Sequence, residues 1–307
     1  SNAWPMPGRG LDRPATAGVQ GAMRPLTIAL LVVLLPCTAR AAGWVQQPRH
    51  CYGKLWDRSW FGSKAYTAEG LRVGADVPSY QDHLVNLYAE CGIHPWVTAI
   101  VALAPAGYAK SDDQGTFYMG PLSGGVRVGL LREGPVRLAG SARYGFAPAV
   151  GDEVLSDTAF TTDDGKSGRA VYLPAVENHF GELLAELGWG FALGTVPSFV
   201  SATLGARLNS AEGVDHALVS QLQWGVTLWQ RLVLDLHFML SEPFFQEVVV
   251  TNTAGVGQTR YLGFGFSASY WIVEALGVFA NLEGVFYAES NAQTPSFSFG
   301  LETRFSL

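Results

Sequence analysis

Hydrophobic and polar residues alternate along most of the chain, most clearly in its last eleven residues. From Phe297 to Leu307, odd positions carry phenylalanine, leucine or threonine, and even positions carry serine, glycine, glutamate or arginine. Because successive side chains of a strand point to opposite faces, this segment has one apolar and one polar face. Its length is also about what a tilted strand needs to cross a bilayer. A soluble edge strand can show the same pattern, so the rest of the chain must decide between the two.

The same period of two recurs in eleven further segments, and no segment beyond residue 42 has a convincing helical period. Between 230 and 241, for example, four leucines and Phe238 occupy even positions, opposite Arg231, Asp235 and His237. The sequence therefore predicts twelve strands, at 65–76, 82–91, 96–104, 122–131, 135–146, 174–189, 197–208, 217–227, 230–241, 259–270, 275–287 and 296–306.

The connections between these strands alternate between short and long. If both chain ends lie on one side, the short connections are periplasmic turns and the long ones are external loops. The link at 77–81 is the one short connection at an expected loop position. Since lipid tolerates only helices and closed sheets, the rhythm favours a barrel over an open sandwich. We expect an all-β fold, a single antiparallel up-and-down transmembrane β-barrel of about twelve strands.

Composition agrees with a membrane barrel and excludes one class of partner. Only 15% of the 307 residues are charged, well below the roughly 25% of soluble domains. The net charge is −6 and no basic stripe is present, which argues against a nucleic-acid partner.

The N-terminal region contains one short apolar run, Leu26 to Leu35, preceded by Met23 and Arg24. An Ala-x-Ala site follows it, and the combination is typical of a secretory signal peptide. We therefore expect an upstream or cloning-derived segment at 1–22, a signal peptide at 23–41, a leader or small plug at 42–64, and the barrel at 65–307. A lipoprotein signal at Cys37 fits less well because proline precedes the cysteine.

Two cysteines, Cys51 and Cys91, remain in the exported chain. An oxidising compartment permits a disulfide between them, and two free thiols are the alternative.

If the polar faces of the strands point inward, the barrel interior receives side chains of both charges. A charge facing lipid at mid-membrane costs about 2–4 kcal/mol, so the interior is the favoured location. These residues either line a wetted path for a small polar or amphipathic solute or form ion pairs that fill a narrow barrel. The predicted interior residues are Arg72, Asp76, Glu90, Arg127, Arg137, Arg143, Glu182, Glu186, Arg207, Gln221, Gln223, Asp235, His237, Asn281, Glu283, Glu302 and Arg304.

Sequence motifs of catalysis are incomplete. Gly165-Lys166-Ser167 is similar to the end of a phosphate-binding loop, but Phe160 stands where that loop needs a glycine. His179 has no serine at the His-x-Ser spacing of barrel phospholipases. Asp235 and His237 share the predicted inner face about 7 Å apart, as an acid–base pair or a satisfied interior pair. We predict no enzyme activity, no cofactor and no metal site.

Four short segments resemble one family of barrels. The strand and turn Asn86-Leu87-Tyr88-Ala89-Glu90-Cys91-Gly92-Ile93, which leads to Trp96, is similar to a strand-turn of the MetA-pathway phenol-degradation family of outer-membrane proteins. Residues 124–129, 185–190 and 205–208 resemble later strands of that family. The resemblance implies a small outer-membrane channel for hydrophobic or aromatic compounds, with no catalytic residues.

Pattern and resemblance together predict a passive channel or transporter for small solutes in the bacterial outer membrane. The expected partners are outer-membrane lipid, the barrel-assembly machinery through the C-terminal strand, and a small-molecule solute. Two alternatives remain: a structural or adhesive barrel that binds partners through its loops, and a lipid-modifying barrel enzyme.

Overall fold

The computed structural model describes residues 44–66, 75–161, 167–172, 174–211, 214–244, 260–289 and 291–307. These residues belong to one compact unit. The predicted upstream segment, the predicted signal peptide and Arg72 lie outside the described residues. The described residues contain no helix with the length and hydrophobicity of a membrane span.

Sixteen strands make up the regular structure of the described chain. They are β1 (His50–Tyr66), β2 (Ala75–His94), β3 (Val97–Ser111), β4 (Gln114–Tyr118), β5 (Leu122–Leu131), β6 (Val136–Ala147), β7 (Val154–Thr161), β8 (Ser167–Tyr172), β9 (Asn178–Leu193), β10 (Val196–Asn209), β11 (Ala217–Leu228), β12 (Leu232–Pro243), β13 (Tyr261–Val273), β14 (Leu276–Ala288), β15 (Asn291–Ala292) and β16 (Ser296–Ser306).

Twelve of these strands form a closed antiparallel barrel, which confirms the predicted fold class. Strand β1 closes the ring because it pairs with β2 on one side and with β16 on the other. Cys51, for example, lies opposite both Cys91 and Phe305. Strand β4 pairs with the last residues of β3, the short β15 pairs with β1, and β7 and β8 form a separate hairpin.

The first strand differs from the prediction. It runs from His50 to Tyr66 rather than over 65–76, so most of the predicted leader or plug at 42–64 is barrel wall. Both faces of β1 carry polar residues, with Lys54 and Arg58 on one face and Asp57 and Ser59 on the other, and this hides the alternation. The predicted link at 77–81 lies inside β2. The first loop therefore falls between β1 and β2. With this assignment, short and long connections alternate at the start of the barrel as they do elsewhere.

The side chains on the barrel are apolar outside and polar inside. On β16, Phe299 and Leu301 are 65% and 49% exposed, whereas Ser298 and Glu302 are 6% and 5% exposed. A soluble sandwich would bury the apolar face instead. The exposed apolar face is the surface that a transmembrane barrel presents to lipid.

The two ends of the barrel differ in their connections. The end of the barrel where β1 begins and β16 ends also carries the short connections, such as the turn between β11 and β12. We call it the short-turn end. In that turn Trp229 and Gln230 have φ angles of 49° and 60°, the left-handed conformation that tight hairpins use. The opposite end carries the long connections and is called the long-loop end. Trp96, Trp189 and Trp229 are exposed towards the short-turn end, as expected of an interfacial aromatic girdle.

Candidate functional site: the barrel interior

A first group of charges lies inside the barrel towards the short-turn end. Arg127 of β5 forms ion pairs with Glu90 of β2 and Glu186 of β9, each at 2.8 Å. Tyr88 donates a hydrogen bond to Glu90 at 2.7 Å, and Ser141 donates one to Glu186 at 2.7 Å. Because Arg127 is only 6% exposed, these contacts hold a buried charge that needs its partners.

The residues that precede β1 enter the barrel beside this group. The backbone nitrogen of Gln46 donates to Thr98 Oγ1 at 2.8 Å, and its side-chain amide donates to Glu90. Arg127 Nη1 also donates to the carbonyl of Trp44 at 3.4 Å. Gln46 is only 4% exposed, so residues 44–48 occupy part of the interior. We call this stretch the N-terminal segment; it is the portion of the predicted plug that lies inside.

A second group lies on β6, β9 and β10, nearer the long-loop end. The guanidinium of Arg207 contacts Glu182 Oε1 through two nitrogens, at 2.6 and 2.9 Å. Arg143 lies 3.9 Å from the same carboxylate, and the Arg207 guanidinium also lies 5.1 Å from the centre of the Phe180 ring. Glu182 is thus shared by two cations from neighbouring strands.

A third group lies across the barrel on β12, β13 and β14. His237 contacts Asp235 through Nδ1 at 3.0 Å and Glu283 through Nε2 at 3.5 Å. Ser267 donates to Asp235, and Asn281 donates to Glu283 at 2.8 Å. Because both ring nitrogens contact carboxylates, the geometry is that of a satisfied interior pair, one of the two readings left open by the sequence.

Lys54 of β1 extends this third group. Its ammonium lies 3.7 Å from Glu302 and 3.4 Å from the centre of the Phe279 ring. Ser269 donates to the same carboxylate at 3.1 Å. Sequence reasoning missed Lys54 because β1 was assigned to a leader. The even positions of β1, with Tyr52 and Trp56 around Lys54, carry the amphipathic interior pattern that could have revealed it.

Three more of the predicted interior residues, Gln223, Arg304 and Asp76, have different surroundings. Gln223 accepts a hydrogen bond from Ser201 at 3.3 Å, and the Arg304 guanidinium lies 3.6 Å from the centre of the Trp271 ring. Asp76 does not line the interior. Its side chain is 88% exposed and lies 3.8 Å from Lys64 at the long-loop end, because β2 extends past the ring of barrel strands there.

The long-loop end is partly filled by a small apolar core. Tyr80, Leu84 and Ala104 of the barrel wall pack with Tyr118 of β4 and Val154 of β7, all less than 9% exposed. The Tyr118 hydroxyl donates to Asp82 at 2.8 Å. Burial, together with the Asp82 carboxylate, raises the pKa of Tyr118 far above its ordinary value, so this hydroxyl stays a donor.

Two further features concern possible chemistry. Cys51 and Cys91 are joined by a disulfide that links β1 to β2 at the short-turn end. Among the described residues, no group of three His, Cys, Asp or Glu side chains is placed to hold a metal ion.

The fold is similar to solved outer-membrane barrels. An outer-membrane channel from Pseudomonas putida F1 matches over 86% of this chain and 98% of its own, with 13% identity and a TM-score of 0.55. The translocator domain of the autotransporter NalP from Neisseria meningitidis matches over 92% and 95%, with 14% identity and a TM-score of 0.49. The NanC porin matches over 81% and 98%, with 6% identity and a TM-score of 0.48. Comparison with family models and with curated proteins finds no match. The closed ring, the apolar outer surface and the first of these likenesses show that the chain has the fold of an outer-membrane β-barrel.

Proposed function

We propose that this protein is a passive outer-membrane channel for small solutes, with hydrophobic or aromatic compounds as the substrate class. The observation that carries the proposal is a closed barrel whose charged residues face inward, together with rings such as Phe279 and Trp271, while its outer surface is mostly apolar. A purely structural barrel does not need aromatic rings among its interior charges. The short segments that resemble phenol-degradation outer-membrane proteins support the substrate class.

The interior suits an amphipathic solute better than an ion. Its charges are neutralised in pairs, as for Arg127 with Glu90 and Glu186. Aromatic rings lie among these pairs: Phe279 and Trp271 face inward at 4% and 6% exposure. Lys54 lies over Phe279 and Arg304 lies over Trp271, so a small aromatic solute stacks on these rings by displacing a cation from the ring face. A dissolved ion would instead have to compete with existing ion pairs.

The N-terminal segment sets the width of the path at the short-turn end. It is held by the side-chain amide of Gln46, which donates to Glu90, and by the carbonyl of Trp44, so its release would widen the interior next to Arg127. Hydrogen bonds of this kind contribute about 0.5–1.5 kcal/mol each, which a single substitution can remove.

Membrane lipid and the barrel-assembly machinery belong to the same proposal. The outward aromatic residues of β16 and its position beside β1 are what supports recognition of this strand during barrel closure. We propose no catalytic step for the channel.

Planar-bilayer conductance and liposome swelling test the channel. We expect small openings in the parent protein, a conductance several-fold larger in Gln46→Ala, and parent behaviour in Gln47→Ala. Gln47 is the matched control because it is the exposed neighbour in the same segment. A small aromatic alcohol should block the current reversibly, while an aliphatic polyol of similar mass should not.

Two results would contradict the proposal. Neither conductance nor swelling above protein-free vesicles would favour the structural or adhesive alternative. Equal block by the aromatic alcohol and the polyol would retain a channel but reject the substrate class.

A further inference from the structure

Three polar residues lie on the outer face of the barrel, where neighbouring strands present apolar side chains. Ser59 Oγ donates to Asp57 Oδ2 at 2.5 Å and lies 2.8 Å from His83 Nδ1. His83 Nδ1 also lies 3.8 Å from Asp57 Oδ2. Their register shows that they face outward: Asp57 is opposite Phe299, and Ser59 is opposite Phe297 and His83. We call Asp57, Ser59 and His83 the outer polar cluster.

The outer polar cluster lies at the long-loop edge of the apolar surface. On β2, outward positions are apolar from Ile93 to Val85, and His83 is the next outward residue. At the usual rise and tilt, that apolar stretch covers about 20 Å of depth, close to the apolar band of such barrels. The cluster therefore lies where hydrocarbon gives way to polar headgroups.

An apolar groove of about 700 Å³ begins next to the cluster. Its lining includes Ala268 and Ala280, which lie directly opposite each other on β13 and β14. Bulky side chains border these alanines, among them Phe266, Phe299 and Leu282. The two short side chains thus form the floor of the groove, and the larger neighbours form its walls.

The groove continues the row of residues that contains the cluster. Successive partners along it are Trp224, Leu236, Phe266, Leu282, Phe297, Ser59 and His83. From Phe297 to Trp224 the row crosses four strand spacings, or about 19 Å. Trp224 lies four positions from the end of β11 at the short-turn end, whereas Phe297 lies at the opposite end of β16. The groove therefore slopes from the interface into the membrane, over a distance comparable to one leaflet, about 15 Å.

We propose that the outer polar cluster and this groove form a binding site for a phosphorylated glycolipid of the outer leaflet. One amide-linked hydroxyacyl chain would lie in the groove. This inference rests on the proposed outer-membrane orientation, with the long-loop end outside.

The order of polar groups beyond the groove, with Asp57 first and His83 next, fits a phosphorylated glycolipid better than a phosphoethanolamine lipid. Asp57, an acceptor with free lone pairs, lies nearest the groove and suits the amide N–H and hydroxyl found at the base of such a chain. His83 lies one strand farther away, where its imidazole ring is placed to donate a hydrogen bond to a phosphate beyond the amide. A phosphoethanolamine lipid has the reverse order, because its phosphate lies nearer the chains than its ammonium.

Native mass spectrometry of the full chain in detergent tests the site with three probes. These are a diphosphorylated lipid A, the same lipid A without phosphates, and a phosphatidylethanolamine. We expect the diphosphorylated form to be retained at least five-fold more strongly than either of the others. Ala280→Phe, which fills the groove, should lower retention of both lipid A forms.

Two polar variants separate the parts of the cluster. Asp57→Asn should weaken both lipid A forms, because it replaces the acceptor with a neutral amide. His83→Gln should abolish only the difference between the phosphorylated and dephosphorylated forms. His179→Gln is the matched control: it is also an outward histidine near the long-loop end, where it contacts Tyr144 at 2.7 Å. Heat-dependent gel migration verifies that every variant is folded.

Several outcomes would overturn the proposal. Equal retention of the three lipids by the folded parent would show no selective site. Unchanged retention in both Asp57→Asn and Ala280→Phe would show that the lipid binds elsewhere. Because none of these variants changes an interior residue, conductance should stay at the parent value, and a failed lipid test leaves the channel test independent.

Discussion

Replacement of Arg127 by methionine is expected to destabilise the barrel strongly. Arg127, Glu90 and Glu186 are 6%, 9% and 2% exposed, and the guanidinium contacts both carboxylates at 2.8 Å. Methionine keeps the apolar part of the side chain but leaves both buried carboxylates without this cation. Breaking a buried ion pair by removing one partner costs about 3–5 kcal/mol.

Urea unfolding of the refolded protein in phospholipid vesicles, followed by tryptophan fluorescence, measures this loss. The midpoint should fall at an unchanged slope, because the surface exposed on unfolding stays the same. Adding Glu186→Gln to the Arg127→Met variant should recover part of the stability, since one buried charge is removed. Recovery of stability in this double variant would not follow from a packing defect.

The matched control is the exposed pair at the long-loop end. Lys64 and Asp76 lie 3.8 Å apart with side chains 58% and 88% exposed, so Lys64→Ala should change stability by less than about 1 kcal/mol. The reasoning is refuted if Arg127→Met loses less than about 1 kcal/mol, or no more than Lys64→Ala.

Three further predictions concern the wall and its turns. Cys51→Ser should abolish the shift that reduction causes on a gel and lower stability by about 2–4 kcal/mol; no shift in the parent would disprove the disulfide. Phe299→Lys should cost about 2–4 kcal/mol in vesicles, while Ser298→Lys on the inner face should cost clearly less. Equal losses would mean that the two faces are wrongly assigned. Gln230→Gly should raise the urea midpoint, because glycine relieves a positive φ of 60°; a lower midpoint would contradict that turn geometry.

The sequence predicted the wall from β2 to β16 because lipid imposes a strict rule on each strand. Outward residues must be apolar whatever the neighbouring strand is, so the alternation of Phe297 to Leu307 can be read without knowing its partners. The short turns followed for the same reason, since each joins strands that cross the same bilayer.

Strand β1 could not be recognised in this way. Its outward positions include Asp57 and Ser59, and only contact with His83 of β2 makes those polar groups tolerable at that position. The local pattern therefore resembled a leader, and the first strand was placed too late. The outward polar residues Asp57 and Ser59, which hide the strand pattern of β1, are also part of the proposed lipid site.

The sequence by itself determined that this chain crosses a membrane as strands, because alternation is a property of each segment alone. The tertiary structure decided which charges meet: Arg127 pairs with Glu90, 37 residues away, through closure of the ring. It also decided that residues 44–48 turn inward, because their partners Thr98 and Glu90 come together only in the folded barrel. Long-range electrostatic contacts depend on the pairing register of the strands and on closure of the ring. Neither can be derived from the alternation of polar and apolar residues within a single strand.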